Sequence, residues 1–270
     1  MMTVDATILV TGGTGTLGRH VLPLLRQAAP TRSVRVLSRS ERPDADGVTY
    51  VTGDLMTGEG VAAALAGVDT VLHLAGGAKG DDVVATHLVA AAREAGVQHI
   101  VHISVIGADR MPMAWFATQR AAEEAITGSG IPWTLLRAAQ FHDLVHEMVS
   151  KMAKLPLVPA PGMRLEPVDV RDVAQRLVEL TLAEPAGLVA ELAGPTVYTM
   201  DDVVRSYLGA TGRRRPVLGM RMPGKAGRAY REGVNLASPA HAVHGGRSWE
   251  AFLAERTEHA GHAGRTERAA

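Results

Sequence analysis

Apolar residues in the first half of the chain alternate between short β-branched runs and longer stretches of helical spacing. This is the pattern of a parallel sheet joined by crossover helices. The pattern predicts strands over 7–11, 34–38, 48–51, 68–74, 97–105 and 132–137, and helices over 17–29, 60–66 and 113–127. A further helix starts at Asp81 and Asp82, whose charge complements its N-terminus, carries the stripe Val84, Leu88, Ala91, Ala92 and Ala95, and is ended by Gly96. After residue 140 the pattern changes. Residues 141–153 are amphipathic, and then Pro156, Pro159, Pro161 and Gly162 predict an irregular excursion over the sheet edge. A helix over 170–183, a strand over 188–193, a helix over 200–210, a basic turn at Arg213–Arg215, a strand over 217–220 and a last helix around 249–254 complete the reading. From 257 onward periodicity is lost, and a disordered tail over 257–270 is expected. The fold class is therefore a doubly wound α/β parallel sheet with a small C-terminal lobe capping the substrate. The expected division is 1–140 with 167–195 as the dinucleotide-binding domain, and 141–166 with 196–256 as the smaller substrate lobe.

Composition narrows the function. With 28 basic and 28 acidic residues the formal charge is zero, which argues against nucleic acid or an anionic membrane as partner. Cysteine is absent, excluding disulfides, thiolate nucleophiles and cysteine-bound metals. The first apolar run, 6–10, is too short for a signal-peptide core, and nothing approaches a membrane span, so a soluble cytoplasmic protein is expected.

Between the first strand and the first helix lies Thr11-Gly12-Gly13-Thr14-Gly15-Thr16-Leu17-Gly18. Gly12, Gly15 and Gly18 form a G-x-x-G-x-x-G series. The first permits a tight turn, the second lets a pyrophosphate approach the backbone, and the third packs helix on strand. Gly12, Thr14, Gly15, Thr16, Leu17 and Gly18 are accordingly expected to hold a dinucleotide. The second strand ends at Ser38 and Arg39, where an NAD enzyme places a carboxylate on the adenosine ribose. A guanidinium pairs with a 2′-phosphate, so NADP (NADPH) is the expected cofactor. Asp54 and Leu55 after the third strand, and Leu74, Ala75, Gly76 and Gly77 after the fourth, complete the expected cofactor set.

Together the T-G-G-T-G-x-L-G loop, Arg39, Gly53-Asp54-Leu55, Leu74-Ala75-Gly76-Gly77, Ser104 and Arg137-Ala138-Ala139-Gln140-Phe141-His142 resemble the NmrA-like atypical short-chain dehydrogenase/reductases, which share a Rossmann fold. Pro167-Val168-Asp169-Val170 and Ala193-Gly194-Pro195 extend the resemblance to about Leu253. The resemblance implies NADPH-dependent reduction of quinones, azo compounds or triphenylmethane dyes, or a redox-sensing regulator. Short-chain dehydrogenases generally carry a Tyr-x-x-x-Lys pair on the helix after the fifth strand, of which many NmrA-like members lack the tyrosine but keep the lysine; the matching positions here hold Trp115 and Gln119, so Gln119 departs from the family pattern as well. Neither supplies a proton near neutral pH. Gln119 can still hydrogen-bond ribose hydroxyls. Ser104, matching the family's fifth-strand serine, and His142, an imidazole at the carboxyl end of the sixth strand, complete the catalytic candidates. His142 and His146 are spaced i, i+4, but a third metal ligand is missing, so no metal is expected. Only four lysines stand beside abundant alanine and arginine, a bias of GC-rich genomes in which such folds serve secondary metabolism.

The sequence thus reads as an NADPH-dependent reductase of a quinone-like, enone or other conjugated aromatic or polyketide-derived small molecule. The alternatives are an NADP(H)-binding redox sensor and a non-redox cyclase or isomerase on the same fold.

Overall fold

The computed structural model describes residues 6–77 and 79–258. In chain order its elements are β1 (Thr7–Thr11), α1 (Thr16–Ala28), β2 (Ser33–Ser38), β3 (Val48–Thr52), α2 (Val61–Leu65), β4 (Thr70–His73), α3 (Asp81–Ala95), β5 (His99–Val105), α4 (Ala114–Thr127) and β6 (Trp133–Ala138). There follow α5 (His142–Met152), β7 (Val158–Pro161), β8 (Arg164–Leu165), α6 (Val170–Leu182), β9 (Gly187–Leu188), β10 (Glu191–Ala193) and β11 (Tyr198–Thr199). The chain continues through α7 (Met200–Ala210), β12 (Val217–Met220), α8 (Gly224–Glu232) and β13 (Ala242–His244). A final helix, α9, occupies 249–258. The described residues divide into two compact units, one within 6–109, 113–137 and 173–190, the other within 110–112, 138–172 and 191–258.

In the first unit the strands run in the order β3-β2-β1-β4-β5-β6. β1 pairs in parallel with β2 on one side and β4 on the other, Thr11 lying opposite Leu37 and His73. This is the doubly wound arrangement. Its strand order reverses between β1 and β4, and ligands of open α/β sheets bind outside the strand carboxyl ends at such a reversal. The β-branched runs become strands because both faces are covered: Ile8, Leu9 and Val10 are completely buried. Leu9, Leu65, Val71, Leu88, Ile100 and Ile126 belong to one apolar cluster beneath α2, α3 and α4. α1 continues through Pro23, since burial of Val21 and Leu25 outweighs the missing backbone bond. Gly96 ends α3 in the left-handed conformation, φ 75°, and its N–H returns to Ala92 and Arg93.

The second unit has its own core, with Val145, Val149, Val203, Val204, Tyr207 and Phe252 around the fully buried Trp249. α7 opens on a capping box between Thr199 and Asp202. Arg171 bonds both carboxylate oxygens of Asp169 and both of Glu255, tying α9 to the start of α6.

Several expectations are corrected here. The proline-rich stretch is not irregular: β7 pairs in parallel with β12, Val158 opposite Val217 and Pro161 opposite Met220. The N–H groups of Val158 and Gly162 donate to Pro216 and Met220, so Pro159 and Pro161 fall at positions where the ladder needs no donor. The expected strand over 188–193 is two short pieces, β9 on β6 and β10 on β13. α8 and β13 were not anticipated. The expected tail begins inside a helix, where Thr257 Oγ1 donates to the Leu253 carbonyl, and 259–270 lie outside the described residues. Among the described residues no helix is long and apolar enough to cross a membrane.

Candidate functional site

The loops that follow β1, β2, β3 and β4 line a groove of about 400 Å³ at the carboxyl edge of the first unit's sheet. The glycine turn forms its floor. Gly12 has φ +70°, and a Cβ there would lie 2.7 Å from the Leu74 and Ala75 backbone, so β1 can approach the β4 loop this closely only with glycine. At Gly15 a Cβ would meet only the Gly12 carbonyl, at 3.2 Å, leaving the groove side open. Gly15 is the N-cap of α1 and offers no side-chain cap, so the helix's first N–H groups have no side-chain acceptor there. A Cβ at Gly18 would strike the Gly12 and Gly13 carbonyls, so the third glycine seats the helix on the turn itself rather than on the strand. This is a cradle a methyl group would fill, and it fits a pyrophosphate.

Around this floor stand most of the expected cofactor residues. Thr14, Ser38, Arg39, Asp54, Leu55, Leu74, Ala75, Gly76 and Gly77 line the groove with Gly12 and Gly15. Thr16, Leu17, Gly18 and Gln119 do not; Leu17 turns into the core. The Ser38 hydroxyl closes the turn after β2 by donating to the Ser40 carbonyl at 2.8 Å. Arg39 is exposed, and among the described residues its guanidinium has no hydrogen bond or ion pair. Asp54 holds its own loop, accepting from the Met56 N–H at 2.8 Å. Thr11 Oγ1 accepts from the Ala75 N–H at 3.3 Å and bonds His73 Nδ1 at 2.7 Å, joining the β1 and β4 loops.

Sequence reasoning missed Asp81 and Lys79, which also line the groove. In the sequence Asp81 reads as an acid complementing a helix terminus. It accepts the Gly77 N–H at 2.8 Å and the Gln119 carboxamide, and burial pushes its carboxyl above the ordinary range against those two bonds. Its place just after the Gly76-Gly77 turn was the available signal.

Gln119 is buried, with its amide committed to Asp81. Trp115, one turn earlier on α4, donates its indole N–H to the Gly77 carbonyl at 3.1 Å. Positions 115 and 119 thus both brace the β4–α3 loop. Ser104 is buried, and its hydroxyl donates to Glu123 Oε1 at 2.6 Å. The same carboxylate takes both prongs of Arg137, at 2.9 and 2.7 Å, and Arg137 also reaches Asp109 at 3.0 Å. His142 lies in the second unit, fully buried against Phe252 and Trp249. Neither ring nitrogen has a hydrogen bond of normal geometry; the nearest charge is Asp169, 4.0 Å from Nδ1, and burial lowers the imidazole pKa.

Comparison with known proteins identifies the family. Residues 12–184 match the NAD(P)H-binding family. The chain is 31% identical over 218 residues to a (4-alkanoyl-5-oxo-2,5-dihydrofuran-3-yl)methyl phosphate reductase of Streptomyces griseus, covering 76% of this chain and 74% of the relative. It is 28% identical over 250 residues to an NAD(P)H azoreductase of Xenophilus azovorans, covering 86% and 87%. The structure of the Citrobacter sp. triphenylmethane reductase complexed with NADP(H) superposes with a TM-score of 0.75 at 20% identity, over 93% of this chain and 99% of that one. This protein therefore belongs to the NAD(P)H-binding family of atypical short-chain dehydrogenase/reductases.

Proposed function

We propose that this protein is an NADPH-dependent reductase that passes hydride directly to a quinone-like, enone or other conjugated aromatic or polyketide-derived small molecule. The observation that carries the cofactor choice is Arg39, which stands on the groove beyond β2 with no partner for its guanidinium among the described residues. A guanidinium there pairs with a 2′-phosphate and offers no acceptor to free ribose hydroxyls. NADPH supplies the hydride when bound. The chain's own groups do the rest. The glycine turn receives the pyrophosphate, Arg39 anchors the 2′-phosphate, and Asp81, held by Gly77 and Gln119, fixes the loop that borders the groove beyond β4.

With Trp115 and Gln119 where short-chain dehydrogenases generally carry tyrosine and lysine, the reading favours an acceptor that takes hydride without that proton donor. A conjugated acceptor spreads the incoming charge over its π-system and meets that condition. The names of the relatives, with an oxo-dihydrofuran phosphate, azo compounds and triphenylmethane as the reduced groups, support the same class. Ser104 and His142 are read as holding the fold, because the hydroxyl of one is spent on Glu123 and the imidazole of the other is enclosed. A redox-sensor reading is favoured by one observation: position 119 holds a glutamine, which carries no charge, and its carboxamide is committed to Asp81. It predicts binding of NADPH without turnover of any acceptor.

Titration calorimetry tests the cofactor assignment. One charge-assisted bond is worth about 1.5–3 kcal/mol, so NADPH should bind roughly tenfold to a hundredfold more tightly than NADH. Arg39→Ala should erase that difference. Equal affinities in the wild type would overturn the assignment.

A further inference from the structure

Two cations line the groove, and they stand on opposite sides of the glycine turn. Arg39 follows β2 and Lys79 follows β4, the two strands that flank β1. Lys79 is exposed, and its side chain makes no hydrogen bond or ion pair among the described residues. The nearby carboxylate of Asp81 does not hold it, being occupied by the Gly77 N–H and the Gln119 carboxamide. Lys79 is also the only lysine before residue 151.

A dinucleotide bound at the strand-order reversal straddles β1 with its pyrophosphate on the turn. With the 2′-phosphate of the adenosine half at Arg39, on the β2 side, the nicotinamide half would fall on the β4 side. The loop Lys79 sits in is braced on that side, since the Gly77 carbonyl receives the Trp115 indole. The ammonium has three donors and no acceptor, which suits a phosphate oxygen and ribose hydroxyls.

We infer that Lys79 is a cofactor-positioning residue that binds the nicotinamide-side phosphate and ribose, supplying from the β4–α3 loop the positive charge that Gln119 lacks. The inference rests on the NADPH reading above, and the test separates the two.

Calorimetry on the full chain uses NADPH and, as a probe of the adenosine half alone, adenosine 2′,5′-bisphosphate. Lys79→Met should weaken NADPH roughly tenfold, the effect of one charge-assisted hydrogen bond, and leave the bisphosphate within about twofold. Lys79→Arg should keep most of the NADPH affinity, and Arg39→Ala should weaken both ligands. Unchanged NADPH affinity in Lys79→Met would overturn the inference, as would an equal loss for both ligands. Failure of the wild type to bind either ligand would instead overturn the cofactor reading, and the inference with it.

Discussion

Glu123 is surrounded by donors: the Ser104 hydroxyl, and a two-pronged Arg137 whose third nitrogen reaches Asp109. Glu123 and Arg137 are buried to within 8% and 11% side-chain exposure. The Coulomb gain of such a pair is largely offset by desolvation, but removing Glu123 leaves the buried guanidinium with two of its three nitrogens unpartnered and only Asp109 on the third. Glu123→Ala should therefore cost about 3–5 kcal/mol in urea unfolding. Ser104→Ala leaves Arg137 on the carboxylate and should cost about 1 kcal/mol, with NADPH affinity unchanged. A collapse of NADPH affinity in Ser104→Ala would contradict a purely structural role for that serine. Ser104 was visible in the sequence as a polar residue on a buried strand. Its partner was not, because Glu123 reads there as one more acid on a helix face. Asp81 escaped notice for a related reason, since a carboxylate turned toward a groove and one complementing a helix dipole look alike in one dimension.

Within the sheet, β4 and β5 place His73 and His102 side by side, their rings stacked at 5.1 Å. Burial holds His102 down to about 4 from its ordinary 6.5, and also holds His73 well below that ordinary value, with the neighbouring His102 adding to the effect. Both are therefore neutral in the folded protein at pH values where the unfolded chain is protonated. Stability is fully present above about pH 6.5 and falls as the pH drops toward 4. The slope is about 1.4 kcal/mol per pH unit for each such histidine. His102→Leu should flatten the acid limb of stability against pH by about that amount, measured by urea unfolding at successive pH values. An unchanged slope would contradict the account. The strands themselves were legible because two-sided burial demands continuous β-branched runs. α8 was not, since Gly224 and Gly227 depress helix propensity and the rest of it is mostly Lys, Arg and Glu. β13 is three residues long with Val243 half exposed, too little pattern to read. His142 looked like a site residue from its position after β6. What encloses it, Trp249 and Phe252, comes from the far end of the chain, a contact no local pattern announces.

At the scale of the molecule, the cofactor groove is built entirely by the first unit, from four loops at one edge of its sheet. Three of those loops carry glycine at the turn, which is why this half of the site could be read from sequence, whereas the bracing beyond β4 depends on Gln119 of α4 meeting Asp81 through the fold. The central claim is that the protein transfers hydride from NADPH to a conjugated acceptor although positions 115 and 119 hold Trp and Gln. Anaerobic stopped-flow absorbance of protein-bound NADPH, mixed with a panel of quinones, enones and cationic dyes, addresses it directly. At least one acceptor should oxidise bound NADPH well above the uncatalysed background, more slowly in Gln119→Ala and at least as fast in Gln119→Lys. Background rates with every acceptor, unchanged by Gln119→Lys, would contradict the reductase account and leave the sensor.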